Sequence, residues 1–322
     1  MGFHLPQAHY QLTRLAITLG PDNPFVRFLL RRACAQRGVG VEFSSDALDL
    51  VKADCVIRIS PKNWIYAPSI ASSFDAYFGQ VEATPNGAAL VVDYSGPRLQ
   101  KYRSSGLEFE INSFPEEDSA IEDYFRWYRP KEGDVVFDLG AYCGVSTYVF
   151  SKAVGESGRV YSFEPDAGSY ALLLRNVNRH QLRNVIPLQF AVAATSGQAE
   201  FHQEGTLGSV LSRHSPRATT GIVSTVPTID LSAACERFGL PSFVKVDIEG
   251  SEVEVLEGSR DFLRRNSINF ALDTHHWVNG TRTTQQVERI FGECGYETDS
   301  SDASGFWTTW ARKVARQDVG AE

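Results

Sequence analysis

A chain of 322 residues, 43% hydrophobic and 22% charged, carries enough apolar material for a large buried core, which excludes a disordered or collagen-like chain. Its formal charge of −8 disfavours phosphate polymers, so nucleic acid is not an expected partner. Cysteines 34, 55, 143, 235 and 294 form no CxxC pair and no apolar run reaches about 18 residues. A disulfide framework, a zinc cluster and a transmembrane segment are therefore not expected, and the cytoplasm is the expected location.

Residues 1–50 read as a helical N-terminal segment, with Leu12, Leu15 and Leu19 at helical spacing. Arg14, Arg27, Arg31, Arg32 and Arg37 suit a solvated helix face; peripheral contact with a membrane surface is the alternative, weakened by Pro21 and Pro24. Residues 51–115 read as a small β-rich module, with strands at 55–59, 88–94 and 107–111 separated by Pro61, Pro85-Asn86-Gly87 and Gly96-Pro97. In the larger domain, 116–314, strand 135–139 leads to a helix from Ser146, strand 159–163 to a helix between Asp166 and His180, and an apolar strand follows at 185–192. An extra strand at 198–202 precedes a Gly-, Ser- and Thr-rich loop, 204–221, of a length that suits a lid. Helix 231–238 behind Asp230, strand 243–248, a helix opened by a Ser251-Glu252-Val253-Glu254 capping box, strand 268–273, helix 284–292 and an aromatic strand at 306–311 complete the domain. The alternation predicts an α/β fold, a doubly wound and mainly parallel sheet with a smaller α+β N-terminal region, and residues 315–322 read as a disordered tail.

In such a sheet, ligands bind at the carboxyl ends of the strands. Asp138 ends the first strand of the large domain, and Gly140-Ala141-Tyr142-Cys143-Gly144 turns the chain into a helix with free N–H groups. A dinucleotide fingerprint needs glycine where Tyr142 stands, so a cofactor without a phosphate bridge fits better. Glu164 ends the next strand and is placed to accept from two ribose hydroxyls; the alternative is a partner for the dipole of the following helix.

The period of a strand puts Lys245, Asp247 and Glu249 on one face of 243–248, which is costly in a covered sheet unless they are paired or open to a cavity. Lys245 can pair with a neighbouring carboxylate. Asp273 and His275 repeat the pattern one strand later, followed by His276 and Trp277, and either histidine can act as a general base. Asp247, Glu249 and Asp273 suit Mg²⁺ chemically, but no ligand spacing requires an ion, so no metal is expected.

Val136-Phe137-Asp138-Leu139-Gly140-Ala141, Phe163-Glu164-Pro165, Thr228-Ile229-Asp230 and, above all, Lys245-Val246-Asp247-Ile248-Glu249-Gly250-Ser251-Glu252-Val253-Glu254-Val255-Leu256 resemble the FkbM family of methyltransferases, over roughly residues 105–275. The resemblance implies a class I methyltransferase, Rossmann-like fold. It implies S-adenosylmethionine as cofactor, held by Asp138, Gly140, Ala141, Tyr142, Gly144 and Ser146 of the turn, by Glu164 and Pro165, and by Ala191 and Asp247. Tyr142 departs from the family's common asparagine.

The implied reaction is methyl transfer to a hydroxyl of a sugar or secondary metabolite, so the expected partner is a small-molecule or glycan acceptor. Asp247 is the first choice to orient the acceptor, with Glu249 as alternative, and His275 the first choice to take the proton, held by Asp273. N- or carboxyl-methylation would use the same cofactor site. A non-catalytic scaffold is the rival from another class, with Trp277, Phe306, Trp307 and Trp310 as a stacking surface. The oligomeric state is not written in the sequence.

Overall fold

The computed structural model describes residues 18–203, 210–211, 222–278, 281–301 and 307–314. The chain divides into two compact units, Met1–Glu116 and Glu117–Glu322.

In the first unit, helix α1 (Pro24–Ala35) starts behind Asn23, whose side chain accepts from the Phe25 N–H, and Pro24 supplies a preset first turn. Its buried stripe is Val26, Leu30 and Cys34. Strands β1 (Gly40–Phe43), β2 (Leu48–Lys52) and β3 (Cys55–Ile59) run antiparallel. Two short helices, α2 (Ala67–Ser72) and α3 (Phe74–Gln80), lead to β4 (Thr84–Asn86) and β5 (Ala89–Tyr94), and β5 lies parallel to β3. Residues 40–52 are thus strands, not the helices expected for the end of 1–50. The reason is alternation within each strand, since Val41 of β1 and Leu48 and Leu50 of β2 are buried and the strand residues between and beside them are less so. Arg27 and Arg31 lie over the Phe43 ring, so two of the basic residues stack on their own unit. A separate hairpin, β6 (Arg98–Lys101) with β7 (Glu108–Ile111), completes the strands described here.

The second unit is built on β8 (Val135–Leu139), β9 (Arg159–Phe163), β10 (Val185–Leu188), β15 (Phe243–Val246) and β16 (Asn269–Asp273), with β19 (Tyr296–Ser301) and β20 (Thr308–Lys313) at one edge, while β17 (Trp277–Val278) and β18 (Thr281–Arg282) pair apart from it. The spatial order is β10-β9-β8-β15-β16-β20-β19. The first five are mutually parallel and β20 runs antiparallel between β16 and β19, as expected for a mainly parallel, doubly wound sheet. The order reverses between β8 and β15, the place where sheets of this kind bind ligands at their strand ends. Helices α4 (Val145–Val154), α5 (Ala167–Arg179), α6 (Leu231–Phe238), α7 (Glu252–Gly258), α8 (Arg260–Arg265) and α9 (Thr283–Glu293) connect the strands. Asp166 and Asp230 cap α5 and α6 by accepting from Ser169 N and Ala233 N. Phe137, Leu139, Val244, Val246, Phe270 and Leu272 fill the core between the strands and helices.

Four local expectations change. The apolar run 185–192 breaks after Leu188: β11 (Ala191–Val192) joins a second sheet with β12 (Gly197–Gln203), β13 (Val210–Leu211) and β14 (Ile222–Ile229), in the order β11-β14-β12-β13. β15 ends at Val246, so Asp247 and Glu249 leave the strand rather than lining its face. The Ser251 box does not form; Ser251 makes no side-chain cap and Glu252 reaches back to Ile248 N and Gly250 N. Trp310 is core, donating its indole N–H to Asp123 O, which removes it from any stacking surface. The expected lid 204–221 lies outside the described residues apart from Val210–Leu211, as do the tail 315–322, Phe306, and the first 17 residues with Leu12, Leu15 and Arg14. Among the described residues no helix is long and apolar enough to cross a membrane.

Gly158, between α4 and β9, illustrates how tightly the turns pack. A Cβ there would meet Val154 O at 2.6 Å and Asp134 O at 2.7 Å. Gly158→Ala is therefore expected to lower unfolding free energy by about 1–3 kcal/mol in urea denaturation, the usual range for overpacking; an unchanged midpoint would show that the turn can open at no cost.

Candidate active site

The site begins with one buried ammonium. Lys245 sits in β15 directly opposite Asp138 of β8 and is fully buried. Its Nζ donates to Gly140 O at 2.8 Å and lies 3.5 Å from Asp138 Oδ1 and 3.8 Å from Asp247 Oδ2. A buried cation costs several kcal/mol unless paired, so this lysine requires the carboxylates around it. Asp138 completes the arrangement by accepting from the Ser146 and Thr147 hydroxyls at 2.9 and 2.7 Å, which fixes the first turn of α4. Asp138 and Ser146 thus brace the turn.

The turn itself has little freedom. Gly140 has φ +78, and a Cβ there would fall 1.8 Å from Asp247 O, so the segments after β8 and β15 press backbone to backbone. Gly144, at φ +91, packs beneath α5, where a Cβ would meet Leu173 at 2.6 Å. Tyr142 adopts φ 47, a left-handed conformation that costs an ordinary residue on the order of 1–3 kcal/mol. It is held there by its N–H, which donates to Glu164 Oε2 at 2.8 Å. Glu164 Oε1 accepts from Asp166 N, also at 2.8 Å. The acidic residue at the end of β9 therefore ties the turn to the start of α5, close to the helix-partner reading of its role.

Burial pushes the Glu164 carboxyl up to about 8, against the pull of those two N–H donors. Each oxygen takes one backbone N–H, leaving a further lone pair on each for a ligand hydroxyl. That donor set suits a ribose. Pro165, half-buried, follows it; Ala191 belongs to β11, where it packs with Phe201 and Val226, so that small cluster accounts for its burial.

The second half of the site lies at the ends of β15 and β16. Asp247 is half-exposed, and Glu249 follows at φ 54, a second left-handed non-glycine residue. Asp273 accepts from the Tyr124 hydroxyl at 2.7 Å and from Thr308 at 3.3 Å. Burial and then the charge of Asp247 push Asp273 up to about 7. The rings of His275 and His276 lie 4.1 Å apart. Burial, aided by the charge on His276, lowers His275 to about 4. His276 is its opposite: burial disfavours a charge there, yet Glu252 and Glu249 hold its pKa well above the usual histidine range. Its Nδ1 is 3.1 Å from Glu252 Oε1 and its Nε2 is 3.4 Å from Glu249 Oε2.

Sequence reasoning missed Tyr124 and Glu252. Glu252 carried a signal in its place within the Lys-x-Asp-x-Glu-Gly-x-Glu run; Tyr124 carried none, being brought to Asp273 from 149 positions away by the fold.

A family model described as the methyltransferase FkbM domain matches residues 138–298, half of the chain, and spans both halves of this site. The chain belongs to the FkbM methyltransferase family. Its cofactor is S-adenosylmethionine, and its second unit carries the matched methyltransferase domain on a Rossmann-like, mainly parallel sheet. Among curated proteins it is similar to the hexuronic acid methyltransferase AglP of Haloferax volcanii, 29% identical over 172 residues, or 52% of this chain and 66% of that protein. Among solved structures it is similar to an FkbM methyltransferase of Methylobacillus flagellatus, with 15% identity, a TM-score of 0.44, and coverage of 91% of this chain and 60% of the other. Fibrillarin of Aeropyrum pernix with S-adenosylmethionine bound is also similar, with 16% identity, a TM-score of 0.38, and coverage of 85% of this chain and 98% of that one. The chain thus spans less than two thirds of the length of the first of these relatives and of the first structure.

The donor set at Glu164 gives a direct test of the family's cofactor site. Glutamine offers one acceptor oxygen where two N–H groups converge, so Glu164→Gln must turn an amide N–H toward Tyr142 N or Asp166 N. S-Adenosylmethionine affinity by calorimetry is expected to fall at least about tenfold, or roughly 1.4 kcal/mol; unchanged affinity would remove Glu164 from the site.

Proposed function

We propose that this protein transfers a methyl group from S-adenosylmethionine to a hydroxyl of a sugar or a secondary metabolite. The observation that carries the reading is the convergence of Asp247, Asp273 and His275 at two adjacent strand ends, next to the turn held by Lys245. The similarity to a hexuronic acid methyltransferase supports a sugar acceptor.

When bound, S-adenosylmethionine supplies an electrophilic methyl on a sulfonium centre, so the chain mainly has to orient an acceptor and receive a proton. The N-terminus of α4, with the 138–144 turn and Glu164, binds the cofactor. Asp247, half-exposed and steadied by Lys245, orients the acceptor hydroxyl. His275 takes the proton late in the transfer. Asp273, fixed by Tyr124, sets the polarity beside it.

Mass spectrometry of uronic acids, neutral sugars and hydroxylated metabolites, incubated with isotopically labelled cofactor and the full chain, tests the acceptor class. The expected result is one labelled methyl on a hydroxyl oxygen. Label on a carboxyl or amine would assign the alternative chemistry, and binding of cofactor with no transfer, alongside a tight protein partner, would favour a scaffold. His275→Ala is expected to lower kcat by about 10²–10⁴ with cofactor affinity retained, the range for loss of a general base; full activity in that variant would remove the role.

A further inference from the structure

Asp247, Glu249 and His276 each present one ligand atom, and the three atoms lie within 4.8 Å of one another. Donors bound to a single ion at about 2.1 Å stand at most about 4.2 Å apart, so small side-chain movements suffice to gather them. A group of carboxylates alone would say little, but the histidine adds a separate observation. Its side chain is 9% exposed, and its two nitrogens approach Glu249 and Glu252 without the geometry of a hydrogen bond. Nε2 faces Glu249 within the group, while Nδ1 faces Glu252, itself fully buried and fixed by Ile248 N and Gly250 N. A metal-bound histidine uses the same neighbours, one nitrogen on the ion and the other N–H on a carboxylate that sets the tautomer and ring angle, and the 3.1 Å approach of Nδ1 to Glu252 needs only a small turn of the ring to align.

We infer that Asp247, Glu249 and His276 bind a divalent cation of the Mn²⁺ class, with Glu252 holding His276 from behind, and that the cation receives oxygen atoms of the methyl acceptor. Two carboxylates and one imidazole suit such an ion better than Ca²⁺ or a soft metal. Three protein ligands leave open positions that two neighbouring oxygens of an acceptor can fill, and a bound hydroxyl loses its proton more readily. The second part rests on the acceptor class proposed above. The sequence pointed to Asp273 as third ligand of a merely conceivable site; the fold engages Asp273 with Tyr124 and brings His276 forward.

The test is a Mn²⁺ titration of the full, chelator-treated chain, followed by electron paramagnetic resonance of the free ion, with S-adenosylmethionine affinity as the check on folding. One Mn²⁺ per chain is expected, with His276→Gln and Glu249→Gln each weakening it at least about tenfold and Glu252→Gln by about 10–100-fold. No binding at about millimolar Mn²⁺, the weak end of biological sites, would overturn the inference. So would unchanged affinity in both His276→Gln and Glu249→Gln. Hydroxyl methylation that persists without any Mn²⁺ binding overturns the metal site alone; Mn²⁺ binding with no methylated hydroxyl upholds the ion site and overturns only the acceptor class.

Discussion

The buried ammonium of Lys245 is the constraint on which the rest of the site depends. Removing it from water is unfavourable by several kcal/mol, and the compensation comes from three directions: a carbonyl of the 138–144 turn, the Asp138 carboxylate and the Asp247 carboxylate. One side chain thereby joins the strand that opens the glycine turn to the strand that ends at the proposed reaction site. Because β8 and β15 are neighbours at the reversal of strand order, their polar ends would otherwise repel. The lysine converts that conflict into a fixed geometry.

From this centre the two halves acquire different characters. On the side of the proposed cofactor site the carboxylates are tied to the protein itself: Asp138 by the α4 hydroxyls and the Lys245 ammonium, Glu164 by the N–H groups of Tyr142 and Asp166. That half is preorganised, and the strained Tyr142 shows that its geometry is imposed rather than relaxed. On the acceptor side negative groups outnumber positive ones. Asp247, Glu249, Glu252 and Asp273 surround one histidine that holds a proton strongly and another that does not. Such crowding is unfavourable in isolation and suits a site that receives a cation or a polar substrate.

Much of this was legible in sequence because it follows from alternation. The parallel strands that carry Asp138, Lys245 and Asp273, the glycine turn after Asp138, and the helices behind Asp166 and Asp230 all sit where period and spacing put them. What failed has physical causes. β19 is Tyr-Glu-Thr-Asp-Ser-Ser, with almost no apolar alternation, and it forms because β20 offers an unpaired edge. The apolar run 185–192 looked like one strand because periodicity cannot show where a chain changes sheets. Asp247 and Glu249 were read onto a strand face, whereas a positive φ at Glu249 and at Gly250 ends the strand at Val246. Lys245 was legible as a salt-bridging residue but not as the link between three elements, since that depends on the register of β15 against β8.

The organisation of the site depends on Lys245 and Asp138 acting as one unit. A double-mutant cycle with Lys245→Met, Asp138→Asn and the pair, read by chemical denaturation, measures this directly. Strong coupling is expected: each single variant leaves a buried group without its partner, and the double variant loses less than the two singles combined, by about 0.5–3 kcal/mol. Additive losses would contradict the claim that this ion pair organises the site.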